Sequence, residues 1–228
     1  MINCSAFNSI YKIRPHAHTR GLTTNKRSIK KEKVLERADY LHAFFNRCVG
    51  PSRIICIFVD VMKVLALIDP QNDFVDGSMG VGKEKWAPAY DFILDLINKG
   101  DYDRVIMTKD WHPIHHCSFT PQGGPWPEHC VENTPGAEAF DNLEIVADRI
   151  ILKGKDPDTE EYGVDLLAGE ADDEVDIDVV GLCYDYCVAC CAKMTSEAHP
   201  KAKVTVYAKG CVAIDPAAEP DFGLATVK

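Results

Sequence analysis

Lys63-Val-Leu-Ala-Leu-Ile-Asp69 is an apolar run closed at each end by a charge, and its reading as a β-strand decides the fold class. Similar β-rich runs follow at 104–108, 149–152, 175–182 and 203–208. The stretches between them include helical patterns. Ala87 to Asn98 carries Tyr90, Ile93, Leu94 and Ile97, the i, i+3, i+4, i+7 spacing of a buried helical face. Residues 185–198 read as a second helix, ending near His199-Pro200 because the residue before proline avoids the helical region. Strands alternating with helices predict an α/β fold, a parallel β-sheet covered by helices on both faces.

Upstream of the run the chain changes character. Residues 1–62 hold 11 Lys and Arg against 4 Asp and Glu, whereas residues 63–228 hold 14 against 31. The first part is therefore +7 and the remainder −17. Residues 1–31 contain no acid and several Ser, Thr and Arg, the composition of a transit peptide. Met62 stands directly before the strand. The expected organisation is thus a basic extension over 1–61, disordered or transit-like, and a functional domain over 62–228. Cytoplasm is the default location, with an organelle reached through the basic segment as the alternative.

The 228 residues are 46% apolar and 26% charged, enough for one good core without disulfides or a structural metal. The acidic body is a poor partner for phosphates, so no nucleic acid is expected. The stretch Ile54 to Ile68 is interrupted by Asp60 and Lys63 and falls short of the roughly 20 residues that span a bilayer, so no membrane is expected either. The ten cysteines show no bridge framework and read as mostly reduced thiols. Cys187 and Cys190 form one C-x-x-C pair with no second pair or C-x-x-H after it, which is weak for a zinc ribbon.

Three reactive side chains sit where strands end: Asp69, Lys153 after Ile150-Ile-Leu, and Cys187 shortly after Val179-Val-Gly-Leu. In open α/β sheets the ligand crevice lies outside the carboxyl ends of the strands. Together they supply a nucleophile, a base and a cation. Cys187 falls at a helix start, where the dipole favours a thiolate, and a nearby Lys153 favours the same state. Asp69 can then take the thiol proton and give it to a leaving amine. Taken singly, each has a structural explanation: a turn-capping Asp, a solvated strand-end Lys, a buried Cys acting as a small hydrophobe.

Residues 110–141 are a long irregular excursion rich in proline, and such loops are usually functional. Asp110 and His112 alternate just past a strand, and the loop brings back His129. One carboxylate and two imidazoles suit a single cation with positions open to water, and zinc, iron and manganese all fit the set. Phe74 and Trp126 lie beside these candidates, where flat aromatic walls suit a planar heteroaromatic ligand.

Leu67-Ile-Asp69-Pro-Gln-Asn-Asp-Phe74, Asp110-Trp-His112-Pro with Ser118-Phe119, Trp126-Pro-Glu-His129-Cys130, Leu152-Lys153-Gly154 and Gly181-Leu-Cys-Tyr-Asp-Tyr-Cys187-Val188 together resemble the nicotinamidases of the isochorismatase-like cysteine hydrolases. The resemblance runs from about residue 62 to about 215. It implies a three-layer α/β/α fold and hydrolysis of nicotinamide, a small-molecule substrate, to nicotinic acid and ammonia through a thioester on Cys187. Asp69 is then the acid and base, and Lys153 assists the thiolate. One divalent metal ion, zinc first and iron or manganese next, is held by Asp110, His112 and His129 against the pyridine nitrogen. Phe74 and Trp126 flank the ring. Backbone N–H groups of Cys183 and Cys187 form the oxyanion hole, with a cis peptide between Leu182 and Cys183. A homo-oligomer is compatible with this reading.

Where some relatives place an extra histidine ligand this chain has Ser118, with His116 nearby. Residues 216–228 are shorter than the family's last helix and strand, as if truncated or replaced. The presence of Cys187 favours amide hydrolysis over the isochorismate-cleaving branch, which lacks that cysteine. The alternatives are an amidase for another small amide, a non-catalytic metal-binding or thiol-rich member of the same fold, and a redox protein using Cys187 and Cys190.

Overall fold

The protein is described here from a computed structural model, which covers residues 61–169 and 174–228. The expected basic extension falls, but for its last residue, outside the described residues.

Six parallel strands form one sheet: β1 (Met62–Ile68), β2 (Arg104–Asp110), β3 (Arg149–Lys153), β4 (Val175–Leu182), β5 (Lys203–Val212) and β6 (Thr226–Val227), in the order β3-β2-β1-β4-β5-β6. The run that decided the fold class lies near the centre of the sheet, and Val64 to Ile68 are all fully buried. A parallel strand covered on both faces needs such uninterrupted hydrophobicity. Successive side chains point to opposite faces. Val64, Ala66 and Ile68 pack with Val188, Cys191 and Ala192 at the start of the helix α3 (Ala189–Ala198). On the face carrying Val180, Phe92 of the long helix α2 (Lys83–Lys99) lies over Gly210. Helices therefore cover both faces, giving three layers.

The helix expected over 87–98 begins four residues earlier, at Lys83. Ala87-Pro88 reads as a helix start because proline suits a first turn, yet here Pro88 lies inside the helix. Burial of Trp86 explains the extension: its ring is 1% exposed and meets Phe140 edge-on at 6.4 Å. The buried stripe is Trp86, Ala89, Ile93, Leu96 and Ile97, with Tyr90 and Leu94 only partly covered. At the other end Gly100 adopts the left-handed conformation, with φ of 64°, and closes the helix.

The second expected helix divides in two. Tyr184–Val188 winds as a π-turn before α3 begins, and π-turns are frequent at functional sites. Residues 216–228 end in β6, which pairs with β5 through Thr205–Thr226 and Val206–Val227, so this segment does supply a strand. Between β2 and β3 the irregular excursion holds only short 3-10 turns and a four-residue helix α1 (Asn72–Val75) packs against it. No helix among the described residues is long and apolar enough to cross a membrane.

Strand order reverses between β1 and β4, since β1 is followed to one side by β2 and β3 while β4 lies on the other. A crevice opens at the carboxyl ends of strands where such a reversal occurs. Ile68 and Gly181 are register partners there. Gly181 has a φ of 132°, and a Cβ on it would lie 2.1 Å from the Ile68 carbonyl oxygen. Glycine is what lets β4 approach β1 this closely.

Candidate active site

Asp69 leaves β1 at this crevice with a φ of 41°, a left-handed conformation that costs an ordinary residue roughly 1–3 kcal/mol and is typical of functional positions. Thr108 holds it: the Asp69 N–H donates to the Thr108 carbonyl at 3.2 Å and to Thr108 Oγ1 at 3.1 Å, and Thr108 Oγ1 donates to Asp69 Oδ1 at 2.7 Å. Lys153 closes β3 in register with Asp110, which closes β2. Three adjacent strands thus each deliver one charged side chain to the same point. Cys187 arrives from the far side of β1, on the π-turn after β4.

Lys153 is fully buried and joins them. Its Nζ is paired with Asp110 Oδ1, lies 2.8 Å from Asp69 Oδ2 and donates to Cys187 Sγ at 3.4 Å. The Asp69 oxygen is at ion-pair distance without hydrogen-bond alignment, and it accepts no hydrogen bond among the described residues. Carboxylate oxygens of Asp69 and Asp110 lie within 4.8 Å of the Cys187 sulfur. The site therefore holds a buried carboxylate, ion-paired with Lys153, within reach of a thiol.

Burial works against charge on Lys153, but Asp110 and Asp69 outweigh it and hold the ammonium protonated well above the usual lysine value. Asp110 is also desolvated, yet Lys153 and His112 bring its carboxyl below the usual range. For Asp69 burial prevails over Lys153 and raises the pKa, which makes it a stronger base than a surface carboxylate. For Cys187 burial pushes the thiol well above the ordinary value despite Lys153, which opposes the thiolate that a helix start favours. The lysine's charge is already shared by two carboxylates, and desolvation wins.

Asp110, His112 and His129 each offer a ligand atom within 4.8 Å of the others, and all three are buried. His112 Nδ1 donates to the Gly154 carbonyl at 2.9 Å, and His129 Nδ1 donates to the Pro127 carbonyl at 2.8 Å. A carbonyl only accepts, so each Nδ1 carries its hydrogen, and in the neutral ring each Nε2 keeps a lone pair. That is the arrangement of imidazoles oriented for a metal. Two carboxylates against one ammonium leave the buried cluster one negative charge in excess, which a divalent cation offsets. The residues fit the ion. His116, by contrast, uses both nitrogens elsewhere: Nδ1 meets Ser118 Oγ at 2.7 Å and Nε2 meets the Thr159 carbonyl at 3.1 Å. Its ring lies tilted by 32° against that of His112, with centroids 4.1 Å apart.

Phe74, Trp126 and Cys183 line one cavity with Asp110, His129 and Cys187. Trp126 Nε1 donates to Tyr162 Oη at 2.9 Å, and Tyr186 meets the Trp126 ring edge-on at 5.2 Å. Met79, Glu160, Tyr162, Tyr186 and Ile214 complete the walls, and sequence reasoning missed all five. Tyr186 adjoins Cys187 and was open to notice, whereas Tyr162 and Ile214 reach the cavity only through tertiary folding. The Leu182–Cys183 peptide is cis. Cys187 and Cys190 are both free thiols. A roomier cavity of about 260 Å³ opens on Lys63, Asp176, Asp178 and Lys203, at the opposite ends of the strands. Charges of both signs line it.

A buried thiol, ammonium and carboxylate at a strand-order reversal, beside an Asp-His-His donor set, have the composition of a cysteine hydrolase that works with a metal ion. Comparison with known proteins narrows the class. No family model matches the chain. The nicotinamidase of Saccharomyces cerevisiae is 30% identical over 200 residues, covering 68% of this chain and 91% of that protein. Among solved structures, the pyrazinamidase of Pyrococcus horikoshii in complex with zinc is 32% identical with a TM-score of 0.56, covering 68% of this chain and 88% of that one. PnC1 from L. infantum in complex with nicotinate is 29% identical with a TM-score of 0.61, covering 72% and 87%. The chain belongs to the nicotinamidase family.

Proposed function

We propose that this chain is a nicotinamidase that hydrolyses nicotinamide to nicotinic acid and ammonia through a thioester on Cys187. The observation that carries the mechanism is the Lys153 ammonium set between Asp69 and the Cys187 sulfur, beside the three metal donors. Asp69 Oδ2, free of other hydrogen bonds among the described residues, takes the thiol proton as the sulfur attacks the carboxamide carbon. Lys153 stabilises the sulfur anion while the proton is away. Backbone N–H groups of Cys183 and Cys187 are assigned to the oxyanion. Asp69 then returns the proton to the departing nitrogen, and ammonia leaves a nicotinoyl thioester. In the second half Asp69 takes a proton from water, the water oxygen attacks the thioester carbon, and Cys187 regains its hydrogen as nicotinic acid forms.

Asp110, His112 and His129 would hold the metal, zinc first with iron or manganese next, and when bound the ion supplies a Lewis-acid anchor for the pyridine nitrogen. Phe74 and Trp126 flank the ring. The cavity encloses only about 20 Å³, room for about one water, so the walls have to part as an aromatic amide enters. Pyrazinamide, with a ring nitrogen in a matching position, is a second substrate under the same reading, and the natural role is salvage of nicotinamide toward NAD.

The test is product analysis on the purified chain. Nicotinamide converted to equimolar nicotinate and ammonia, with activity lost on chelation and regained with zinc, supports the reading. A folded, zinc-loaded chain that releases no ammonia from nicotinamide refutes it.

A further inference from the structure

Gln71 is fully buried two residues past Asp69, and its side chain does what a strand would do. β1 and β2 pair through Leu67–Met107, and Asp69 N–H still reaches the Thr108 carbonyl. Beyond that point β1 has turned away. Alternate residues of a strand present their N–H and C=O to the same neighbour, so Asp110, two residues after Thr108, faces the gap left by β1. Lys153 cannot fill it, because β3 lies on the opposite side and takes the N–H of Trp111 instead.

The Gln71 amide fills it. Oε1 accepts from the Asp110 N–H at 2.8 Å, and Nε2 donates to the Asp110 carbonyl at 2.7 Å. The second Nε2 hydrogen goes to the Ala137 carbonyl at 3.0 Å, while Gln71 also bridges to Ala139 in antiparallel fashion. These three partners determine the amide's orientation, since one only donates and two only accept. A flipped amide would set its oxygen against carbonyls. The clasp thus ties the ends of β1 and β2 to the loop segment that follows His129.

We infer that Gln71 is a positioning residue for metal binding, acting through the backbone of Asp110. The carboxylate of Asp110 has to serve Lys153 and a cation at once, and it lies 3.5 Å from His112 Nε2. A backbone free to rotate at this rung would satisfy one partner and lose the other. The inference rests on the metal reading proposed above. Partners of this kind, one step removed from the ion, typically affect metal affinity by about 10–100-fold.

The experiment measures zinc affinity by competition with a chromophoric chelator on folded chains. Gln71→Glu keeps the acceptor and loses both donors. Gln71→Met keeps the bulk and loses all three bonds. Asn72→Ala is the control, because Asn72 Nδ2 donates to Pro135 in the same loop without touching Asp110. The zinc dissociation constant should rise about 10–100-fold in both Gln71 variants, the KM for nicotinamide should rise with it, and Asn72→Ala should bind zinc as the unsubstituted chain does. Either Gln71 variant folded and with unchanged zinc affinity overturns the inference, as does equal weakening in Asn72→Ala. An unsubstituted chain that binds no zinc overturns the metal reading and this inference together.

Discussion

Lys153 on β3 donates to the sulfur of Cys187 across 3.4 Å, and each side chain is enclosed by the fold. One ammonium also faces two carboxylates there. Nucleophile, base and metal donor are thereby coupled through a single buried cation, and changes to it should be felt in stability as well as turnover.

Lys153→Met keeps the bulk of the side chain and removes the charge, leaving Asp69 and Asp110 buried without it. Breaking a buried pair by deleting one partner typically costs about 3–5 kcal/mol. Denaturant unfolding should show a loss of that size, and a loss under about 1 kcal/mol would mean that the ammonium does not stabilise the carboxylates.

The raised pKa of Cys187 has a definite sign in reactivity. A thiol whose pKa is lifted above the ordinary value of about 8.5 holds little thiolate at neutral pH, and thiolate is the species that alkylates. In the free enzyme, peptide-resolved alkylation of Cys187 by iodoacetamide should still be accelerating as pH passes about 8.5. A rate that levels off below neutral pH would instead indicate a resting thiolate.

Gly154 has a φ of 65°, and a Cβ there would lie 2.3 Å from His112 Cε1. Its carbonyl also takes the His112 Nδ1 hydrogen. Gly154→Ala should displace the imidazole and lower zinc content in metal analysis while the protein stays folded. Full zinc stoichiometry would show that His112 has room to adjust.

Asp69→Asn retains size and removes the base. General acid–base catalysis contributes about 100-fold or more, so kcat should fall at least that far, with nicotinamide binding kept. A smaller loss would place the proton elsewhere.

Five strands of the parallel sheet were legible as β-rich runs, though the two-residue β6 was not, and Asp69, Asp110, Lys153 and Cys187 were legible because they fall at or shortly after strand ends. Other features depend on long-range structure. β5 continues to Val212 through Lys209 and Gly210, which no local propensity favours, because Gly181 and Leu182 pair with Cys211 and Val212 beyond an irregularity in which β5 carries the extra residues. The π-turn over Tyr184–Val188 reads as ordinary helix in sequence. Gln71 stood in plain view within a quoted motif, yet its partner Asp110 is 39 residues away. The pull against a thiolate at Cys187 has a related origin: the helix start is local, while the desolvation that opposes it comes from the whole fold.

The measurement closest to the central claim is trapping of the acyl-enzyme. The chain is mixed with nicotinamide, quenched in acid within a turnover and digested for mass spectrometry. The account predicts a nicotinoyl adduct on the Cys187 peptide, absent from Cys187→Ala, which also releases no ammonia. Ammonia released at the full rate by Cys187→Ala would contradict it.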